Sequence, residues 1–241
     1  MQKVLSECYL LHTQPFKETS LIVRMFGKHQ GRFSVVAKGV KRKQSQAIRA
    51  ILQPFSLLHL EYTGKSDLKI LCNVELNERQ LKQSEFSNRA LACGYYLNEL
   101  LIRATEEWQE SPHLFEAYRQ SLQLLQINEA TTQKTNAAQA EILRTFEVAL
   151  LTDLGVAPDW TIDISGNEIK ASSRYYYEDE QGFTEVVGVD NSDTGFRGEV
   201  LIALGTHDYK QDLLKECQQA TQMLLRKIIG DKPLESRKLW I

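Results

Sequence analysis

The sequence is short of the residues that build covalent or metal frameworks. Its 241 residues hold four cysteines, Cys8, Cys72, Cys93 and Cys217, and no CxxC pair. That excludes a zinc ribbon, and four scattered thiols in so long a chain do not make a disulfide framework. The five histidines, His12, His29, His59, His113 and His207, lie too far apart for HExxH or related metal spacings. A GxxxxGK[ST] phosphate loop, a GxGxxG fingerprint and a GxSxG elbow are all missing. No apolar run approaches the roughly 20 residues of a membrane span, and the N-terminal MQKVLSECYLLHTQPF does not read as a signal peptide. Glycine and proline are few, 13 and 5, which excludes a collagen-like or low-complexity chain.

What the chain does have is enough apolar content, 42%, to bury a core without staples. The contiguous carboxylates Glu106-Glu107 and Glu178-Asp179-Glu180 read as solvated faces, and the four cysteines, all on apolar faces, as core filling. No reactive constellation is left. The expectation is a soluble, cytoplasmic protein that is not an enzyme, with no cofactor, no metal, no small-molecule substrate and no membrane partner.

A formal net charge of −2 conceals a segregation of charge. Residues 1–80 carry 13 Lys+Arg against 6 Asp+Glu, whereas the remainder carries an excess of 9 acidic residues. Such an asymmetry points to a polyanion-binding end.

That basic end reads as strands. Leu58, Leu60 and Tyr62 alternate with His59 and Glu61, and Leu68, Ile70, Cys72, Val74 and Leu76 follow with the same period of two. Thr63-Gly64-Lys65-Ser66-Asp67 joins the two runs as a hairpin. The β-rich runs Leu21–Phe26 and Arg32–Ala37 flank a second hairpin loop, Gly27–Gly31, and a first strand surrounds Cys8 to His12. Five short strands in under 80 residues predict a closed barrel of the OB-fold type.

Beyond residue 80 the period becomes helical. Ala90, Cys93, Leu97, Leu100, Leu101 and Ala104 share one face, Ser111-Pro112 starts a second helix, and a third stops at Gly155 with Pro158 beyond. Tyr175–Tyr177 and Phe183–Val187 predict a small hairpin within a region of about 158–193. A short helix near Gly198 to Leu204 and a long one ending at Gly230 complete the chain. The predicted class is therefore α+β. An N-terminal five-stranded OB-fold domain spans 1–80, and a mostly α-helical domain with a small β-hairpin insertion spans 81–241.

The positive signal is the segment Ala37–Arg49. It carries Lys38, Lys41, Arg42, Lys43 and Arg49 and no acidic residue, and it joins the third and fourth strands of the predicted barrel. Arg24, Arg32 and Lys65, with Lys28 and Lys69, stand on strands or hairpins around it. Lysine and arginine in such a setting neutralise phosphates and release condensed counterions, which drives sequence-independent binding. Phe16, Phe26, Phe33 and Tyr62 are candidates either for base stacking or for the barrel core.

Several motifs in order resemble the RecO recombination-mediator family. They are Pro15-Phe16-Lys17-Glu18-Thr19-Ser20-Leu21, then Gly31-Arg32 through Val36-Ala37-Lys38-Gly39, then Leu52-Gln53-Pro54-Phe55. Asn98-Glu99-Leu100-Leu101, Phe115, Leu143-Arg144 through Phe146-Glu147 to Leu150-Leu151, Leu154-Gly155 and Lys232–Arg237 continue the likeness. The resemblance implies a DNA repair and recombination mediator that binds single- and double-stranded DNA. Such a protein anneals complementary strands coated by single-strand-binding protein (SSB) and acts with RecR to load RecA. It also implies a docking site for the SSB C-terminal tail on the helical domain, for which Arg103, Arg119 and Arg144 are the candidates. Many members carry a four-cysteine zinc module in that domain. Residues 155–193 contain no cysteine, so zinc is not expected here.

Two other readings use the same residues. An OB-fold interaction adaptor would bind an acidic protein partner without touching DNA. An RNA-binding OB protein would read the 2′-OH.

Overall fold

The computed structural model describes residues 3–77, 86, 88–127, 135–186 and 195–239. Strands β1 (Val4–Phe16), β2 (Ser20–Gly27), β3 (Gly31–Ala37), β4 (Leu57–Thr63) and β5 (Lys69–Leu76) form a closed barrel in the order β1-β2-β3-β5-β4. Pairing of β4 with β1 closes it, and only the β3–β5 contact is parallel. A short helix, α1 (Gln46–Ile51), lies in the β3–β4 connection. Helices α2 (Asn88–Ala104), α3 (Pro112–Ile127) and α4 (Thr135–Asp153) follow. The hairpin of β6 (Arg174–Glu178) and β7 (Gly182–Glu185) comes next, with β8 (Phe196–Arg197) pairing β6 on its other side. Helices α5 (Gly198–Thr206) and α6 (Leu214–Ile229) precede a final 3-10 turn, Glu235–Leu239. The α+β class and the barrel stand as the strand periodicity predicts; Val187 and residue 80 lie outside the described residues.

Alternation along the strands sends Leu10, Val23, Met25, Phe33, Val35 and Leu58 into a barrel core with no exposure. Two bulges change its phase. On β1 the register shifts between Leu10 and His12, so Leu11 has no partner across β2. Its carbonyl instead accepts a bond of 2.7 Å from Asn98 Nδ2 of α2, and Tyr118 Oη of α3 donates to Asn98 Oδ1. On β5, Tyr62 faces Leu71 while Glu61 faces Asn73, which leaves Cys72 as the extra residue. Leu71 then packs on the core and Cys72 is exposed. The placing of Cys72 on an apolar face is therefore corrected: an inserted residue reverses inside and outside from that point.

The chain divides into two compact units, residues 1–130 with 233–241, and residues 131–232. The first unites the barrel with α2, α3 and the C-terminal turn. Tyr9 and Phe26 on the barrel's outer surface meet Phe115 and Tyr118 of α3 at ring separations of 5.2–6.1 Å. Glu99 of α2 accepts the backbone N–H groups of Glu235 and Ser236, which ties the C-terminal turn to it.

In the second unit α4 ends as its sequence predicts. Gly155 takes φ +70°, its N–H bonds Thr152 O, and Val156 N bonds Leu151 O, a Schellman arrangement. The hairpin is held by rings: Phe183 lies 5.7 Å from Trp160, 5.4 Å from Tyr177 and 6.4 Å from Phe196. Residues 155–193 contain no cysteine, so the segment does not fit a four-thiolate zinc site.

Candidate nucleic-acid interface

The cationic segment leaves β3 at Lys38 and turns at Gly39, whose φ of +72° favours glycine. Val40 and Leu52, each 3% exposed, pin its two ends in the barrel core. Backbone bonds hold what lies between: Lys41 N to Thr19 O at 3.1 Å, Arg42 N to Gly39 O and Ser45 N to Arg42 O at 3.0 Å. Lys41 Nζ adds a contact of 3.4 Å to Lys17 O.

Two adjoining shallow hollows open on this surface. One, of about 400 Å3, is lined by Lys41, Arg42, Lys43, Gln46, Arg49, Ala50 and Gln53. The other, of about 380 Å3, is lined by Phe16, Lys17, Thr19, Ser20, Val36, Lys38, Gly39 and Arg42. Arg42 belongs to both, and neither lining includes a carboxylate. Among the described residues, none of Lys17, Lys38, Lys41, Arg42, Lys43 and Arg49 forms an ion pair. Six cations around two open hollows can hold an extended polyanion.

The remaining sequence candidates separate from this group. Arg24 stands on the outer barrel face opposite His12 and Ser34. Lys65 lies in the β4–β5 hairpin, before the point where β5 joins β3 at Val35, on the side away from the loop that leaves β3 at Lys38. Arg32 is corrected to an internal role. Its Nε and Nη2 donate to Thr105 O at 3.1 and 2.7 Å, and Nη1 pairs with Glu107 at 3.0 Å. Burial pulls its guanidinium below the ordinary value and Glu107 opposes that pull; arginine stays charged throughout.

Arg32 thereby fastens a strap, Thr105–Glu110, that the sequence reading missed. Trp108 N donates to Arg32 O at 2.8 Å, and the Trp108 ring packs 5.1 Å from Phe33 and 6.1 Å from Tyr62. Lys69 Nζ stands 4.6 Å from its centroid. Glu107, read as part of a solvated face, accepts both Arg32 and Ser34 Oγ. No local signal marks the strap, because its partners stand on strands of the barrel far away in the chain.

Of the four aromatic candidates, Phe26, Phe33 and Tyr62 are buried and engaged with other rings. Phe16 is only half-buried. The three helical arginines also part company. Arg144 is corrected to the core: its side chain, 3% exposed, pairs with fully buried Glu147, whose other oxygen accepts Thr221 Oγ1. Arg103 pairs with Glu99 at 3.7 Å and donates to Pro233 O. Arg119 pairs with Glu116 at 2.8 Å and stays one-third exposed.

Barrel topology and cationic loop together define the class: an OB-fold protein with a basic loop between its third and fourth strands. The particular family comes from comparison. The model for "Recombination protein O N terminal" matches residues 1–79 and that for "Recombination protein O C terminal" residues 87–238. DNA repair protein RecO of Alteromonas mediterranea is 36% identical over 234 residues, covering 97% of this chain and 95% of its own. DNA repair protein RecO of Haemophilus influenzae is 36% identical over 242 residues, covering 100% and 97%, and that of Aromatoleum aromaticum 33% over 233 residues, covering 96% and 92%. The chain belongs to the RecO family of DNA repair proteins. Among the described residues, no helix is long and apolar enough to cross a membrane.

Proposed function

We propose that this protein binds the phosphate backbones of single- and double-stranded DNA through the loop that joins β3 to α1. On that footing it anneals SSB-coated complementary strands and, with RecR, helps to load RecA. The observation that carries the reading is the group of six cations, Lys17, Lys38, Lys41, Arg42, Lys43 and Arg49, around two hollows without a carboxylate in their linings. Such a surface clamps phosphates of two strands and screens their mutual repulsion, so that complementary bases meet. The protein makes and breaks no covalent bond in this scheme and works in the cytoplasm, at the nucleoid. Residues 1–80 serve as the DNA-binding domain and residues 81–241 as the partner-binding domain, with one-third-exposed Arg119 the retained candidate for the SSB tail.

The test is annealing of SSB-coated complementary oligonucleotides across a salt series. Acceleration that fades steeply as salt rises supports the reading. Annealing at the rate of the uncatalysed strands at every salt concentration overturns it.

A further inference from the structure

The outer face of the barrel along β1 is covered at one end, whereas at the other His12 and Gln14 are exposed and Phe16 is half-buried. Tyr9, Phe26 and Arg32 share a row across β1, β2 and β3, and α3 and the strap cover that row. The next outward row is His12, Arg24 and Ser34; then come Gln14, Ile22 and Val36, and last Phe16 with Ser20. That second end runs directly into the hollow lined by Phe16, Lys17, Lys38 and Arg42.

Phe16 differs from every other aromatic of the barrel. Its ring is half-buried, lines that hollow, and stacks on no other ring among the described residues. Lys17 Nζ stands 5.4 Å from its centroid. A side chain so placed presents a π-face among cations, the pairing that single-strand binders use, with rings for bases and lysines for phosphates. Duplex DNA keeps its base faces stacked and offers this site phosphates alone. An unpaired strand offers both.

We infer that Phe16 is a base-stacking platform: an unstacked base lies against its ring while Lys17, Lys38 and Arg42 hold the flanking phosphates. This rests on the proposed DNA binding and adds to it a subsite that distinguishes single strand from duplex. The same contact favours annealing, because a base held on Phe16 is presented unstacked to its complement.

The experiment measures binding of the full chain to an oligothymidylate and to a blunt duplex of equal length, for the unaltered protein and for Phe16→Ala, Phe16→Leu and Phe16→Trp. Phe16→Leu keeps apolar bulk at the position and removes only the π-face, and circular dichroism checks each fold. The expected result is a loss of roughly 5- to 150-fold in single-strand affinity for the Ala and Leu variants. Duplex affinity is unchanged, and Phe16→Trp retains single-strand binding with its fluorescence quenched by the oligothymidylate. Equal loss on both DNAs, or single-strand binding by Phe16→Leu at the unaltered level, overturns the inference and leaves the cationic loop standing. Absence of salt-dependent DNA binding in the unaltered protein removes the loop reading and this one with it.

Discussion

Replacing Lys41, Arg42 and Lys43 by alanine isolates the electrostatic role of the loop. Five cations of that segment, Lys38, Lys41, Arg42, Lys43 and Arg49, and Lys17 beside them form no ion pair among the described residues, so each is available to a phosphate. If each of the six neutralises one, the slope of log K against log salt on duplex DNA is about −5.4, at roughly −0.9 per phosphate. The triple variant keeps three of the six and its slope falls to about −2.7. Between 50 and 200 mM salt the unaltered protein then loses roughly 1,800-fold in affinity and the variant about 40-fold by the same relation. Single strands, at about −0.7 per phosphate, give about −4.2 and −2.1.

The readout is fluorescence anisotropy of labelled duplex and single strand titrated across the salt series. The three residues lie between Val40 and Leu52, which keep the loop pinned, so the fold survives the change. Unaltered circular dichroism and melting confirm that. Parallel slopes for the two proteins would refute the reasoning, since they would mean that these charges meet no phosphate.

Three further predictions concern groups that the fold uses internally. Arg144→Met leaves Glu147 buried without its ion-pair partner and costs about 3–5 kcal/mol in urea unfolding; the double change Arg144→Met/Glu147→Leu recovers most of it, and a loss below about 1 kcal/mol for the single change contradicts the pairing. Gly31 takes φ +61°, and a Cβ there would stand 1.7 Å from Gln109 O, so Gly31→Ala dislodges the strap, costs about 1–3 kcal/mol and shifts Trp108 emission to the red. An unshifted spectrum speaks against the strap contact. Burial pushes the Cys217 thiol up to about 11 and also raises that of Cys8. Since the thiolate is the reactive form, thiol titration at about pH 8 labels exposed Cys72 quickly and Cys8, Cys93 and Cys217 only on unfolding, whereas fast labelling of two or more would refute the assigned burial.

Most of the fold is legible in the sequence because alternation and helix punctuation are local. The period of two gives the strands, Ser111-Pro112 starts α3 and Gly155 with Pro158 stops α4. The bulges are not legible, since an inserted residue on β1 or β5 is defined by the partner strand, and a strict period of two puts Cys72 on the wrong face for that reason. The cationic loop is legible as a run of charge, but which arginines remain available is not. Arg32 and Lys38 look alike in the chain; what separates them is Thr105 and Glu107, more than 70 residues downstream. Arg144 did carry a signal. It sits three residues before Glu147 within the apolar stripe of Leu143, Phe146, Leu150 and Leu151, and opposite charges set in such a stripe mark a buried pair.

How each segment is anchored explains why some basic residues are occupied and others are not. Arg32 and Arg103 hold distant parts of the chain together by their guanidinium groups, to Thr105 and Pro233, and Arg144 pairs with Glu147 three residues on, inside its own helix. The β3–α1 loop is fixed by other means, two apolar side chains and a few backbone bonds, Lys41 N to Thr19 O among them. No acidic residue lies between Ala37 and Arg49, and α1, at six residues, supplies no carboxylate to pair with its own Arg49. Among the described residues its cations form no ion pair, and their backbone is held by its own bonds, so binding a polyanion would immobilise side chains without folding a loop. Moving an acidic residue into this loop, rather than removing a basic one, would spoil the surface with the least change to the fold.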